Sequence, residues 1–410
     1  MALDDVDLTR LPEQGGLFPH EWFTRLRREA PVWYHPPVEG VPELAGKGFW
    51  VVSRHEDLRT VSQDWERFSS ERTGVFVRDD FSGQLGVNMM LTDPPLQTRM
   101  RNLVNRAFTP RACRRLEENV RRRARALVER VAEQARCEFV YDVAAEIPVH
   151  VIADILGVPE SERARLRDLV VAILTAELEP EEVGRVQAEL FALAQPILEA
   201  RRRRPEEDIL STLTHAEITD ADGTHRLTQP QLEAFFIQLA FAGSETTWSA
   251  LAGGLLALVE HREELDLLRR EPRWMPSAVE EILRWTTPVA YFSRTATRDS
   301  ELRGERIREG DKVTIWYPSA NRDESVFEDP FRFDVRREPN PHVSFGAGGP
   351  HFCLGANLAR MELRIVFEEL LAGLDDIELE GPVERHQTAW DMAVFGSFKR
   401  MPIRVAGASA

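Results

Sequence analysis

The run from Leu232 to Val259 is nearly all apolar. As a helix rising about 1.5 Å per residue it spans roughly 40 Å, enough to cross either a bilayer or a whole domain. Glu245 stands near its middle with Gln238 close by, and a carboxylate at mid-membrane costs about 2.5–3.5 kcal/mol on insertion scales. A lone span without basic flanks makes a poor membrane segment, so the run predicts a buried central helix. A chain of 410 residues, 43% of them hydrophobic, has the apolar surface to wrap one. The carboxylate inside it calls for a chemical reason.

Charge narrows the function. Lys+Arg 52 against Asp+Glu 68 leaves a net −16, which argues against a nucleic-acid binder, whose affinity comes from neutralising phosphates. Cys113, Cys137 and Cys353 are too few and too unevenly spaced for a disulfide framework. The acidic start, Met1-Ala2-Leu3-Asp4-Asp5, lacks the basic and apolar stretches of a signal peptide. We therefore expect a cytoplasmic protein with no membrane span.

The remaining pattern predicts a mainly α chain with a minor β part, in one domain over 1–410. Val32-Trp33-Tyr34 and Phe49-Trp50-Val51-Val52 read as a small sheet within about 31–54. A helical core follows over about 94–286. Asp93-Pro94-Pro95 should open a helix through Arg106 with proline in its first turn. A basic helix runs from Arg111 to Glu133, its arginines interleaved with glutamates as on a solvated, ion-paired face. Trp274 to Thr286 is helical, Tyr291–Thr297 and Lys312–Tyr317 are strands, and Leu354 to Leu371 is a last helix.

The sharpest local signal is Phe345-Gly346-Ala347-Gly348-Gly349-Pro350-His351-Phe352-Cys353-Leu354-Gly355. No Lys-Ser/Thr follows the glycines and the third glycine of a dinucleotide fingerprint is missing, which disfavours phosphate. A nucleophilic cysteine would need a His/Asn arrangement that one sequence does not reveal. Glycines do serve a flat macrocycle lying against the backbone, because a side chain would block its approach. A thiolate at the first position of a helix receives backbone N–H groups and the positive end of the dipole. Thiolate ligation of haem promotes O–O cleavage, so loop 345–355 looks built to hold haem iron through Cys353.

On these residues the chain resembles a bacterial cytochrome P450, over nearly its whole length. Gly349, His351 and Gly355 stand at the usual offsets from Cys353. Phe345 lies eight residues before the cysteine where the common pattern has seven, as in the subgroup that hydroxylates terpenoids, sterol side chains and methyl-branched lipids. The resemblance implies the P450 fold, with the long central helix over haem b. Ala242-Gly243-Ser244-Glu245-Thr246-Thr247 resembles the family's acid–alcohol motif: Ala242 and Gly243 would leave a groove for dioxygen, while Glu245 and Thr246 would deliver protons. Glu281 and Arg284 resemble the first two members of a structural triad, with Arg332 of Pro330-Phe331-Arg332-Phe333 as the third.

Haem propionates are expected against Arg101, Arg294 and His351, with Phe345 and Gly346 also in contact with the cofactor. Gln97 stands where many bacterial members have histidine, and it can donate a hydrogen bond without the charge. Motif alignment places substrate near Phe76, Val87, Met89, Leu239, Val289, Phe292 and Phe395, with Tyr291 as a further wall; each could equally be core. The implied activity is insertion of one oxygen atom of O2 into an apolar terpenoid, steroid or branched lipid. Electrons would come from an acidic ferredoxin and ferredoxin reductase docking near Arg111, Arg114 and Arg115. The alternatives are a natural-product tailoring oxidase acting on a polyketide or peptide, and a peroxide-driven peroxygenase.

Overall fold

The computed structural model describes residues 7–8, 18–37, 46–77, 87–175, 180–220, 223–385 and 398–405. Its helices are α1 (His20–Glu29), α2 (His55–Gln63), α3 (Leu96–Val104), α4 (Pro110–Gln134), α5 (Glu146–Leu156), α6 (Glu160–Thr175), α7 (Pro180–Arg203), α8 (Ile209–His215), α9 (Gln229–Glu260), α10 (Arg262–Arg270), α11 (Met275–Thr286), α12 (Tyr317–Ala320) and α13 (Ala356–Gly373). The mainly α expectation with a minor β part is met.

The apolar run is α9, and it starts earlier than its hydrophobicity suggests. Thr228 accepts a hydrogen bond from the Gln231 N–H while the Gln231 side chain accepts from the Thr228 N–H, a reciprocal cap that fixes the start. The helix packs against α5, α11 and α13, and buries residues around its circumference from Leu232 to Leu258. No helix among the described residues is long and apolar enough to cross a membrane.

α4 begins where Thr109 caps it and Pro110 takes its first position. Its buried positions, Cys113, Val120, Ala124, Val128 and Val131, recur at helical spacing and form one stripe against α13. Arginines beside that stripe tie the two helices: Arg121 reaches Glu369 at 2.8 Å and Glu368 at 2.5 Å, Arg125 reaches Glu369 at 3.0 Å, and Arg364 reaches Glu117 at 2.5 Å. The basic face is thus divided, since Arg111, Arg114 and Arg115 are exposed and make no ion pair among the described residues. In α3 the prolines precede the helix rather than entering it, because Pro95 is the cap and Leu96 the first helical residue.

The main sheet has the strand order Val32–His35, Phe49–Val52, Lys312–Trp316, Tyr291–Ala296, Phe68–Ser69. Strand alternation sorts the residues of Tyr291–Ala296 onto two faces. Tyr291 turns into an N-terminal core, stacked on Trp316 at 4.8 Å, so it is not a wall of the candidate site. Phe292 and Arg294 point to the other face. Tyr317, expected to end its strand, instead opens α12, where Pro318 favours a helical first turn.

Candidate functional site

The cysteine loop is folded back on itself. The Gly346 N–H donates to the Val343 carbonyl at 2.9 Å and the Cys353 N–H to the Phe345 carbonyl at 2.8 Å, which sets Phe345 beside the cysteine. The end of α2 then holds the loop: Ser62 Oγ donates to the Gly348 carbonyl at 3.0 Å and Gln63 Nε2 to the Ala347 carbonyl at 3.1 Å. Gly348 and Gly349 have φ of 92° and 82°, and a Cβ on Gly349 would overlap the Ser62 carbonyl oxygen. These two glycines are therefore required by backbone conformation and the approach of α2. Gly355 differs, since a Cβ there would meet no atom within 4 Å, and a Cβ on Gly346 would meet nothing closer than 3.7 Å.

Cys353 does not occupy the first position of a helix. Gly355 is the cap of α13 and Ala356 its first residue, so the cysteine precedes the cap by two residues. Burial pushes the thiol up; a hydrogen bond from the Gly355 N–H and the charges of Arg101 and Arg360 oppose it. Cys353 and Phe352 are nonetheless accessible, so sulfur and ring both border open space.

Arg101, Arg294 and His351 come together, as expected. Arg294 is buried, and its Nη1 donates only to its neighbour's carbonyl, Ser293 O, at 2.7 Å. Neither arginine makes an ion pair among the described residues. His351 Nε2 is buried without a hydrogen-bond partner, and burial, with Arg294 and Arg101 nearby, drives its pKa down to about 3. Buried cations without counter-charge are costly. A cluster of two arginines and an unpartnered imidazole beside an accessible cysteine suits a ligand that carries carboxylates and a metal, and these residues fit haem. Gln97 stands apart: its amide donates to the Pro350 carbonyl at 2.7 Å, and its oxygen accepts from Thr98 Oγ1 at 3.3 Å.

In α9, Ala242 is exposed, while Leu239, Ala240, Ser244 and Glu245 around it are buried. Thr246, one turn on, donates its hydroxyl to the Ala242 carbonyl at 2.8 Å, which leaves the Oγ1 lone pairs outward. Gly243 does not form that groove. A Cβ there would lie 2.5 Å from Ile152 Cγ1, so the glycine admits α5 against α9. Glu245 is buried with no hydrogen-bond partner among the described residues, and desolvation raises its pKa to about 8. It holds a proton at neutral pH.

The structural triad is real in two members and wrong in its third. Arg284 grips Glu281 through two bonds of 2.7 Å, both side chains fully buried. The remaining cation is Arg337, whose Nε lies 3.2 Å from Glu281, and not Arg332, whose side chain is 58% exposed and faces Asp334 at 3.6 Å. Arg332 takes part through its backbone, as its carbonyl accepts from Arg284 at 3.1 Å and from Arg337 at 2.9 Å. A second cluster went unread in the sequence. Glu280 accepts from Arg360 at 2.7 Å and from His342 at 3.0 Å; against burial, these bonds hold its pKa near about 2. Arg360 in turn lies over the Phe345 ring at 4.5 Å, which braces the cysteine loop from α11 and α13.

Of the expected substrate residues, Phe76 and Phe292 meet with ring centroids 6.1 Å apart, and both are partly exposed, as are Val289 and Val87. Leu239 and Met89 are each 7% exposed and belong to the large core. Phe395 lies outside the described residues.

A family model described as Cytochrome P450 matches residues 149–375. The chain is 42% identical over 399 residues to the Mycobacterium tuberculosis chain named as cytochrome P450 126, covering 93% of this chain and 94% of that one. It is 39% identical over 373 residues to the methyl-branched lipid omega-hydroxylase of the same species, covering 87% and 84%. A Mycobacterium marinum cytochrome P450 solved in complex with pseudoionone superposes with a TM-score of 0.86 at 36% identity, over 98% of this chain and 96% of that one. A match of this extent in sequence and fold is decisive: the chain belongs to the cytochrome P450 family, the haem b monooxygenases.

Proposed function

We propose that the protein hydroxylates an apolar small molecule, a terpenoid, steroid or branched lipid, using O2 and two electrons from a ferredoxin and its reductase. The observation that carries the reading is the cluster of buried Arg294 with half-buried Arg101 and His351, two cations without an ion-pair partner among the described residues, next to an accessible Cys353. Cys353 would ligate the iron, and the cluster would hold the propionates. Haem, when bound, supplies dioxygen activation and oxygen insertion.

The protein's own contribution is a proton and a shape. Glu245 keeps its proton up to about pH 8, and Thr246 Oγ1 can accept a hydrogen bond while its own hydrogen rests on Ala242 O; to pass a proton onward the hydroxyl turns its hydrogen away from that carbonyl. Ala242 leaves room in front of that hydroxyl. Phe76, Phe292, Val289 and Val87 offer an apolar wall, which suits a hydrophobic guest. Relatives named methyl-branched lipid omega-hydroxylase and steroid C26-monooxygenase support that substrate class. The intact Glu245–Thr246 pair favours O2 over peroxide as oxidant. Exposed Arg111, Arg114 and Arg115 on α4 offer an acidic ferredoxin charges that α13 does not already use.

The first test is the carbon monoxide difference spectrum of the reduced protein and of Cys353→Ala. An imidazole-type band in the wild type refutes the thiolate. Titration of the iron spin state with terpenes, sterols, fatty acids and macrolides then tests the substrate class, and a response confined to macrolides would replace lipid by polyketide.

A further inference from the structure

We infer that Gln97 is a positioning residue for Cys353, a tether on the cysteine loop, and not a contact to the cofactor. The inference rests on the reading of Cys353 as iron ligand. Gln97 is 1% exposed and commits both ends of its amide within the protein, the nitrogen to Pro350 O at 2.7 Å and the oxygen to Thr98 Oγ1 at 3.3 Å. Its own N–H is fixed to the Asp93 carbonyl at 3.0 Å. A carboxamide with a short, buried bond to a carbonyl has no reason to leave it for a carboxylate that two arginines and a histidine already face.

The position of the tether gives it its effect. Three successive stations of the loop are pinned by side chains from elsewhere: Ala347 O by Gln63, Gly348 O by Ser62 and Pro350 O by Gln97. The first two come from α2 and the third from α3, and Gln97 makes the shortest of the side-chain bonds to the stretch nearest the cysteine among the described residues. Arg101, one turn further along α3, donates to the same oxygen at 3.4 Å, a longer and weaker bond than that of Gln97. Between Pro350 and Cys353 the backbone anchors among the described residues are the Phe352 N–H on Gly349 O, a long bond of 3.3 Å, and the Cys353 N–H on Phe345 O. Release of Pro350 should therefore loosen the approach to the sulfur while the cationic cluster remains.

The test uses the haem-loaded protein with Gln97→Met, which keeps the side chain's volume and removes the donor, and Gln97→Asn, which draws the amide back by one methylene. Three quantities are read: amide exchange at Phe352 and Cys353, haem transfer to excess apomyoglobin, and the fraction of thiolate-type band in the reduced carbon monoxide complex. The expected result in either variant is exchange roughly fivefold faster, the change one lost buried hydrogen bond gives, a smaller thiolate fraction, and haem transfer within about twofold of wild type. Haem transfer about tenfold faster with exchange unchanged would make Gln97 a cofactor contact and overturn the inference. Unchanged values in all three would overturn it too. Absence of the thiolate band in the wild type would instead remove the reading of Cys353, whatever the exchange rates show.

Discussion

Replacing Arg337 should cost far more stability than replacing Arg332, although the motif around Arg332 is the more conspicuous. Arg337→Met removes the Nε contact to Glu281 at 3.2 Å, a donation to Glu328 O at 2.6 Å, and donations to Asp329 O at 3.1 Å and Arg332 O at 2.9 Å. Glu281 is fully buried and keeps Arg284, the Asp334 N–H and Asn340, so its charge is weakened in support without being orphaned. The loss of a charge-assisted buried bond is about 1.5–3 kcal/mol, and the backbone carbonyls, which lie near water, add about 1 kcal/mol together. Arg332→Met gives up a mostly exposed contact of 3.6 Å, worth about 0.5 kcal/mol or less. With an unfolding entropy of about 2.1 cal/mol/K per residue, a chain of 410 residues loses roughly 3–5 °C of Tm in the first variant and under about 1 °C in the second. Melting of both haem-loaded variants by far-ultraviolet circular dichroism at one scan rate decides it. An Arg332→Met protein that melts as low as Arg337→Met would refute the reassignment.

Three other expectations follow from the site. Glu245→Gln should slow turnover about 100-fold or more and abolish the fall in rate expected of the wild type as pH rises through about 8. The same variant should be more stable than wild type, by a margin that grows about 1.4 kcal/mol per pH unit between 4.5 and about 8, where the unfolded carboxyl ionises and the folded one does not; urea melts at several pH values read the slope. Gly349→Ala places a side chain at φ 82° and onto Ser62, so the purified protein should retain less haem, measured as the Soret to protein absorbance ratio, while Gly355→Ala should match wild type. Charge reversal at Arg114 and Arg115 should raise the KM for ferredoxin and flatten its salt dependence, whereas turnover with a small chemical reductant stays unchanged.

The contrast between what was legible in the chain and what was not has a physical pattern. Periodicity exposed α9, α4 and α13 because burial of one face is written into successive residues, and Glu281–Arg284 was legible because helical spacing brings i and i+3 together. Arg337 was not, since an arginine reaching out of an irregular segment obeys no period; it is the contacts of Asp334 N–H and Asn340 with Glu281 that fix that segment's path. The loop's need for glycine is legible as backbone freedom, but the neighbour that Gly348 and Gly349 make room for, the end of α2, is not. Ser62 and Gln63 lie some 285 residues away in sequence, and nothing local announces that α2 ends there. Gly243 misled in the same way, because its missing side chain serves Ile152 on another helix. Tyr291 shows the opposite failing: strand alternation would have separated it from Phe292 had the register been applied.

The order of the loop's anchors along the chain bears on biosynthesis. Ser62, Gln63, Gln97 and Glu280 all precede Cys353, while Arg360 follows it. As the chain leaves the ribosome, every surface that receives the loop is already made before the sulfur appears, and the brace from α13 comes afterwards. The receiving walls are thus made before Cys353 leaves the ribosome. If Cys353 ligates the iron as proposed, cofactor capture can only follow the synthesis of those walls.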